Sequence, residues 1–391
     1  MKSGRLRILL TGGGTGGHVY PGLAVAEQLR KLAPESDIRF IGTRRGLEAT
    51  LVPRAGWPFT AVAASGFRGL GLVARLRFLV NFALGGLESL GLLVRWRPDV
   101  VLGTGGYVSA PVIAAARLLC ITCAVQEQNA IPGSVNRLVG RWARRAYLGF
   151  AGAAKWFPAG VCVATGNPVR GAMATAGQVT TGQATTGTST RPARDPGSPA
   201  RHVLVFGGSG GASTLNRAVA EAAKGWDARP GLTMLVQTGP RDHAATAAAV
   251  AAAAPSGTLT VVPYIDDMAT ELARADLVVC RAGAMTLAEL HCLGKPAVLV
   301  PFPHATDDHQ VRNARDCEQA GAAVVLLDAE CDGPRLSAVV ESLLGDPARL
   351  EALGHAARGL GRPQAATVIA SDLLALVGHP AGRAQPVLTR G

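Results

Sequence analysis

The chain has 391 residues, 48% of them hydrophobic and 17% charged, and its 39 Lys and Arg outnumber 27 Asp and Glu for a formal net charge of +12. That length exceeds what one hydrophobic core supports, so two domains are expected, and the composition excludes a disordered chain. The basic excess, nearly all arginine, points to anionic substrates or a polyanionic surface, whereas no run approaches the roughly 18 uncharged apolar residues of a spanning helix.

Short β-branched runs alternate with helical segments along the chain, the pattern of a parallel sheet with crossover helices and hence of an α/β fold. The first strand, Leu6 to Thr11, starts without a signal-like cleavage region before it, so a cytosolic location is expected. It ends in Thr11-Gly-Gly-Gly-Thr-Gly-Gly-His18 and leads into a helix. Further strands are predicted at Ile38 to Gly42, Phe59 to Ala63, Val100 to Gly103, Thr122 to Gln126, Tyr147 to Phe150 and Val161 to Ala164.

Between the third and fourth strands, Phe67 to Trp96 mixes arginines with large apolar residues and holds one acid, Glu88. It reads either as a core helix with a solvated basic rim or as a patch that lies on an anionic membrane. Cys120 and Cys123 sit in an apolar run with no second pair and no histidine nearby, so they read as structural rather than as zinc or redox ligands. All seven cysteines read as buried thiols of a reducing compartment, and no metal site is expected.

Residues 171–200, rich in Thr, Gly, Ala, Pro and Ser, read as a flexible linker or insertion between a domain at 1–170 and a second at 201–378. The second half repeats the scheme, with strands at His202 to Phe206, Thr233 to Gln237, Leu259 to Val262, Leu277 to Cys280, Ala297 to Val300 and Ala323 to Leu327. Its first strand also ends in a glycine turn, Gly207-Gly-Ser-Gly-Gly211. The last helix can pack back on the first domain, and a tail at 379–391 is expected to fray.

A strand that ends in glycines and turns into a helix offers backbone N–H groups and the positive end of a helix dipole to an anion. Gly12, Gly14 and Gly17 fit a dinucleotide fingerprint, but the second strand ends at Phe40-Ile-Gly-Thr-Arg-Arg45, without the acid that would hold a ribose. Neither turn has the Lys-Ser/Thr of a Walker loop. Gly207 to Gly211 also fits a hydrolase elbow, yet its serine opens the second half, where a phosphate-binding role suits it better. His18 is the one titratable side chain of the first turn, and the helix dipole favours its neutral, proton-accepting form.

Taken in order, these turns and a further set of segments resemble the MurG family, UDP-N-acetylglucosamine transferases that convert lipid I to lipid II in peptidoglycan synthesis. The segments are Gly12 to Ala24, Val101-Leu-Gly-Thr-Gly-Gly-Tyr-Val-Ser109, Glu127-Gln-Asn-Ala-Ile-Pro-Gly133, Gly166-Asn-Pro-Val-Arg170, Gly207 to Ala212, Tyr264-Ile-Asp-Asp-Met268, Cys280 to Thr286 with Glu289, and Pro301-Phe-Pro-His304 through His309 and Gln310 to Asn313. The resemblance implies a GT-B fold, two Rossmann-like domains with parallel sheets facing one cleft, and a peripheral enzyme at the cytoplasmic face of the inner membrane. It also implies UDP-N-acetylglucosamine as donor, undecaprenyl-linked lipid I as acceptor, an anionic membrane surface as partner, and neither cofactor nor nucleic acid.

Site roles follow from the same resemblance. Thr15, Gly16, Gly17 and Tyr107 would contact substrate, and His18 would take the acceptor proton with help from Glu127 and Asn129. Ser209, Gly210 and Gly211 would cradle the diphosphate, Ile265 would meet the uracil, and Glu289 would bind the ribose. Arg170, Arg281, Ala284, Met285 and Thr286 would complete the donor site, and His309 with Gln310 would read the sugar hydroxyls. Two positions depart from the family: Gln126 stands where a histidine is usual, and Gly210 where a glutamine is frequent. A UDP-sugar epimerase of the same architecture is the alternative enzyme, and a non-catalytic membrane scaffold is a third reading.

Overall fold

The computed structural model describes residues 5–65, 72–171, 173, 201–227 and 229–388, with the backbone alone at 72–79. Residues 172 and 174–200 of the Thr- and Gly-rich segment, Arg68 and the side chains of Arg75 and Arg77 therefore lie outside the described residues. The chain divides into two compact units, Met1–Gly171 with Gln364–Gly391, and Ala172–Pro363.

In the first unit, β1 (Arg7–Gly12), β2 (Asp37–Gly42), β3 (Phe59–Ala61), β4 (Val100–Gly105), β5 (Thr122–Glu127), β6 (Arg145–Leu148) and β7 (Cys162–Ala164) form one parallel sheet. Their spatial order is β3-β2-β1-β4-β5-β6-β7. The interior strands are apolar on both faces because helices cover both. Leu9, Val101 and Ile113 belong to the core on one face, whereas Ile8, Leu10, Leu29 and Leu102 belong to that on the other. The covering helices are α1 (Gly16–Leu32), α2 (Glu48–Arg54), α3 (Leu72–Trp96), α4 (Ser109–Leu118) and α5 (Ser134–Val139).

The second unit repeats this order with β8 (Arg201–Phe206), β9 (Leu232–Gln237), β10 (Leu259–Val262), β11 (Leu277–Cys280), β12 (Ala297–Leu299) and β13 (Ala323–Val325), arranged β10-β9-β8-β11-β12-β13. Its helices are α6 (Ser213–Asp227), α7 (His243–Ala253), α8 (Met268–Arg274), α9 (Ala284–Leu293), α10 (His309–Gln319), α11 (Gly333–Leu344) and α12 (Pro347–Leu360). Asp332 and Asp346 accept from the N–H groups three residues on, and a proline follows each, so α11 and α12 begin with sequence-encoded caps.

The chain then returns to the first unit as α13 (Ala365–Leu376), whose Ile369, Leu373 and Leu374 close the core over Ile8 and Leu10. Asp372, fully buried, accepts from Arg145 Nε at 3.1 Å, Tyr147 Oη at 2.9 Å and the Gln385 amide at 2.7 Å. Burial, reinforced by that carboxylate, holds the Tyr147 hydroxyl well above its ordinary pKa. Residues 379–388 of the tail are tied down rather than frayed as expected. The Arg383 amide donates to Ser371 O at 3.1 Å, the Leu388 amide to Cys162 O at 2.7 Å, and Leu388 packs on the core. Cys162 lies far back in the chain, where tail composition cannot announce it.

Six cysteines are buried free thiols, and burial pushes those of Cys123 and Cys317 up to about 12. Cys120 departs from the expectation, being exposed.

Candidate active site

Each sheet reverses its strand order beside its own first strand, between β1 and β4 and between β8 and β11. Crossovers diverge there, opening a crevice at the carboxyl ends of the strands, where open α/β sheets bind ligands. Both glycine turns lie at these points.

In the first unit the turn after β1 packs against the turn after β4. The Gly13 amide donates to Gly105 O at 3.2 Å, and a Cβ at Gly105, which sits at φ +104°, would strike His18. The expectation of open amides fails at Gly14. Its N–H donates to Glu48 Oε2 at 2.9 Å, and the other oxygen of this buried carboxylate accepts from the amide and hydroxyl of Thr43 at 2.8 and 2.7 Å. A negative charge is thus built in beneath the first turn.

His18, on the first turn of α1 and half-buried, has Nδ1 at 3.1 Å from Thr104 O and 3.2 Å from Gln128 Oε1. A carbonyl oxygen can only accept, so Nδ1 carries a hydrogen, and in the neutral ring the lone pair is on Nε2. Thr15, exposed, caps α1 without a side-chain hydrogen bond, and Gly16 and Gly17 open the helix. Tyr107 is exposed just after β4, and the Arg170 guanidinium lies 5.1 Å from the centre of the Tyr20 ring.

Glu127, at the end of β5, is enclosed by its own loop. It accepts from the amides of Asn129 and Gly133 at 2.9 and 3.2 Å and from the side chains of Asn129 and Asn136 at 3.3 and 2.9 Å. Burial raises its pKa against the lowering effect of these donors. Its carboxylate is buried, and it shapes the loop that presents half-buried Asn129.

The second turn is built differently. Gly208 O accepts from the Gly211 amide at 2.9 Å and from Gln237 Nε2 at 3.1 Å, while Ser209 and Gly210 stand exposed at the tip. Gly211, at φ +77°, runs so close to the loop after β9 that a Cβ would lie 1.8 Å from Thr238 O. The neighbouring Asp242 is paired with Arg241 at 3.0 Å and also accepts from Ser213 Oγ at 2.6 Å, so its charge is answered locally. Arg241 is the first cause holding the Asp242 carboxyl down at about 2.

The remaining donor-site candidates gather at the carboxyl ends of β10, β11 and β12. Ile265 is buried in the loop after β10. Ala284, Met285 and Thr286 form the first turn of α9, whose cap Gly283 brings no side chain, and Glu289 lies half-buried one turn from Met285. His309 and Gln310 begin α10 after two consecutive left-handed residues, Asp307 and Asp308. His309 Nδ1 is 2.7 Å from Thr306 O, leaving Nε2 as acceptor, and Gln310 Oε1 takes the Phe302 amide at 3.0 Å, leaving Nε2 as donor.

Arg281 is placed otherwise than the donor role implied. Its Nη1 donates to Val300 O and Pro301 O, both at 3.1 Å, and pairs with Asp328, bracing the loop after β12 from below. Sequence reasoning missed Glu48, Gln128 and Asp328. Of these, Gln128 alone carried a signal, its place between two residues already selected.

Two parallel sheets of this order, each with a glycine turn at its switch point, define the GT-B class of glycosyltransferase folds. Residues 8–148 match the glycosyltransferase family 28 N-terminal domain and residues 202–369 its C-terminal domain. The UDP-N-acetylglucosamine–N-acetylmuramyl-(pentapeptide) pyrophosphoryl-undecaprenol N-acetylglucosamine transferase of Anaeromyxobacter dehalogenans (strain 2CP-C) is 43% identical over 97% of this chain and 96% of its own. The protein of the same name from Geobacter sulfurreducens is 40% identical over 95% and 98%. The crystal structure of Acinetobacter baumannii MurG superposes with a TM-score of 0.73 at 29% identity, covering 95% and 99% of the two chains. A UDP-GlcNAc 2-epimerase from Neisseria meningitidis reaches 0.66 at 12% identity, a likeness of fold alone. The chain belongs to the MurG family of N-acetylglucosamine transferases within glycosyltransferase family 28.

Proposed function

We propose that this chain transfers N-acetylglucosamine from UDP-N-acetylglucosamine to the 4-hydroxyl of the N-acetylmuramoyl sugar of lipid I, forming lipid II with a β-1,4 linkage. The hydroxyl oxygen attacks the anomeric carbon as its bond to the UDP oxygen breaks. The hydroxyl proton passes to His18 Nε2, and UDP leaves with the electron pair. The observation that carries this reading is the contrast between the turns, one holding an oriented imidazole beside a buried carboxylate, the other an exposed serine with an open glycine tip.

The built-in negative charge suits the first turn to sugar hydroxyls, with Thr15, Gly16, Gly17, Tyr107 and Asn129 around the acceptor and Glu127 holding their loop. The second turn, through Ser209, Gly210 and Gly211, meets the diphosphate with amides and a helix dipole. The start of α9, at Ala284, Met285 and Thr286, adds a second such dipole. Glu289 suits the ribose diol because a carboxylate accepts two hydrogen bonds, and Ile265 lines the base. His309 Nε2 accepts from one sugar hydroxyl while Gln310 Nε2 donates to another. Arg170 reaches the donor, and Arg281 acts by bracing.

Lipid I is presented at the cytoplasmic face of the membrane, and peripheral attachment fits α3. Val80, Leu84, Leu87 and Val94 stand exposed at heptad spacing along it, and Leu118 of the adjoining α4 is 76% exposed. Trp96 does not join this surface, for its Nε1 donates to Asp37 at 2.9 Å and its ring lies against Arg39. Among the described residues no helix is long and apolar enough to cross a membrane.

UDP release with and without a lipid I analogue tests the reading. Release should depend on the acceptor and yield the β-1,4 disaccharide. A change in free UDP-sugar without acceptor would sink it in favour of an epimerase.

A further inference from the structure

We infer that Gln128 is a positioning residue for the transfer step: with the Thr104 carbonyl it fixes which nitrogen of His18 holds the hydrogen, and it does so without adding charge. The inference rests on the reading of His18 as the proton acceptor.

Gln128 Oε1 lies 3.2 Å from His18 Nδ1, on the side where Thr104 O already accepts. The orientation of the Gln128 amide is itself dictated. Its Nε2 donates to Thr104 O at 2.7 Å and to Gln126 Oε1, whose own Nε2 donates to Asn167 Oδ1 at 2.9 Å. Asn167 Nδ2 then returns to Gln128 O at 2.9 Å, closing a ring of three amides whose side chains are all buried. Turning the Gln128 amide over would set its NH₂ against the Nδ1 hydrogen and its oxygen against two acceptors. One arrangement satisfies every member, and it ends with the lone pair on Nε2.

Among the described residues, charged and titratable groups on the surrounding elements include Tyr20 of α1 with Arg170 over its ring, Glu48 of α2, Tyr107 after β4 and Glu127 of β5. Glu48 serves Gly14 and Thr43, and Glu127 serves its own loop. A carboxylate beside Nδ1 would orient the ring equally well but raise its proton affinity, filling the site that must receive a proton. An amide orients the ring and leaves it neutral.

The test combines nitrogen NMR of histidine-labelled full-length protein, the His18 signal being assigned by its loss in His18→Ala, with pH profiles of transfer. The wild type should show neutral His18 with hydrogen on Nδ1. Gln128→Met, close in length but without hydrogen bonds, should mix the tautomers and lower kcat about tenfold or more, with the KM for UDP-N-acetylglucosamine unchanged. Gln128→Glu should raise the His18 midpoint by about one pH unit or more and carry the acid limb of kcat/KM with it. Hydrogen on Nε2 in the wild type, or an unaltered tautomer and kcat within about twofold in Gln128→Met, would overturn the inference. A His18 midpoint that moves in Gln128→Glu while the acid limb stays would uphold Gln128 as the orienting group and refute His18 as the base. A His18 spectrum that Gln128→Glu leaves in place counts against both Gln128 and its link to His18.

Discussion

A histidine can serve as a base when one nitrogen is relieved of its proton by the way the other is bound, and at His18 that binding comes from Thr104 and Gln128. Replacing His18 with alanine should lower kcat by about 10²- to 10⁴-fold while calorimetry finds UDP affinity unchanged, since donor contacts are assigned to the second unit. His291 is the opposite case, a histidine kept from protonating. It lies buried in α9 with Nε2 3.4 Å from Cys317 Sγ, and burial, then Arg362, lowers its pKa to about 4. Below pH 6.5 the unfolded chain takes up a proton that the folded chain refuses, so stability is lost as pH falls from about 6.5 toward 4, by up to about 3 kcal/mol. Denaturant midpoints at pH 7.5 and 4.5 should show that loss in the wild type and a smaller one in His291→Leu. An equal loss in both would assign the acid sensitivity elsewhere.

At the scale of elements, the glycine turns make a paired prediction. Gly211→Ala would force a side chain into left-handed backbone and onto Thr238 O, costing at least about 2 kcal/mol and weakening UDP binding. Gly210→Ala meets no protein atom at ordinary φ and should leave the melting temperature near the wild type. For α3, Leu87→Glu should reduce co-sedimentation with anionic liposomes without lowering the melting temperature, because Leu87 is 66% exposed. Strands and turns were legible because apolar runs buried on both faces and ended by glycine leave a local imprint. The partners of those turns were not. Glu48 reaches Gly14 across 34 positions and Asp328 reaches Arg281 across 47, and both look in sequence like ordinary surface acids. The same holds for the partners of Arg281 and Glu127, which are largely backbone groups of neighbouring loops, since a charged side chain in a motif reads alike whether it faces substrate or the backbone beneath.

For the whole molecule, the first unit is made from two stretches of chain, and Asp372 fastens the second stretch to the first. Asp372→Ala would strand the Arg145 guanidinium and the Tyr147 hydroxyl and release the Gln385 amide. Unfolding should become easier by about 3 kcal/mol, and hydrogen exchange should rise first in α13 and residues 379–388. Uniform exchange with an unshifted midpoint would show that the helix holds without this tie.

That arrangement also sets a schedule on the ribosome. The sheet of the first unit is complete once Ala164 has been made, yet Ile369, Leu373 and Leu374, which cover Ile8 and Leu10, are still some 200 codons away. At ordinary elongation rates the nascent sheet waits roughly 10–40 s with one face unsealed. A ribosome that stalls late in the message would therefore release a finished second unit attached to an unfinished, adhesive first unit. Quality control should meet this protein most often through its earliest-made strands.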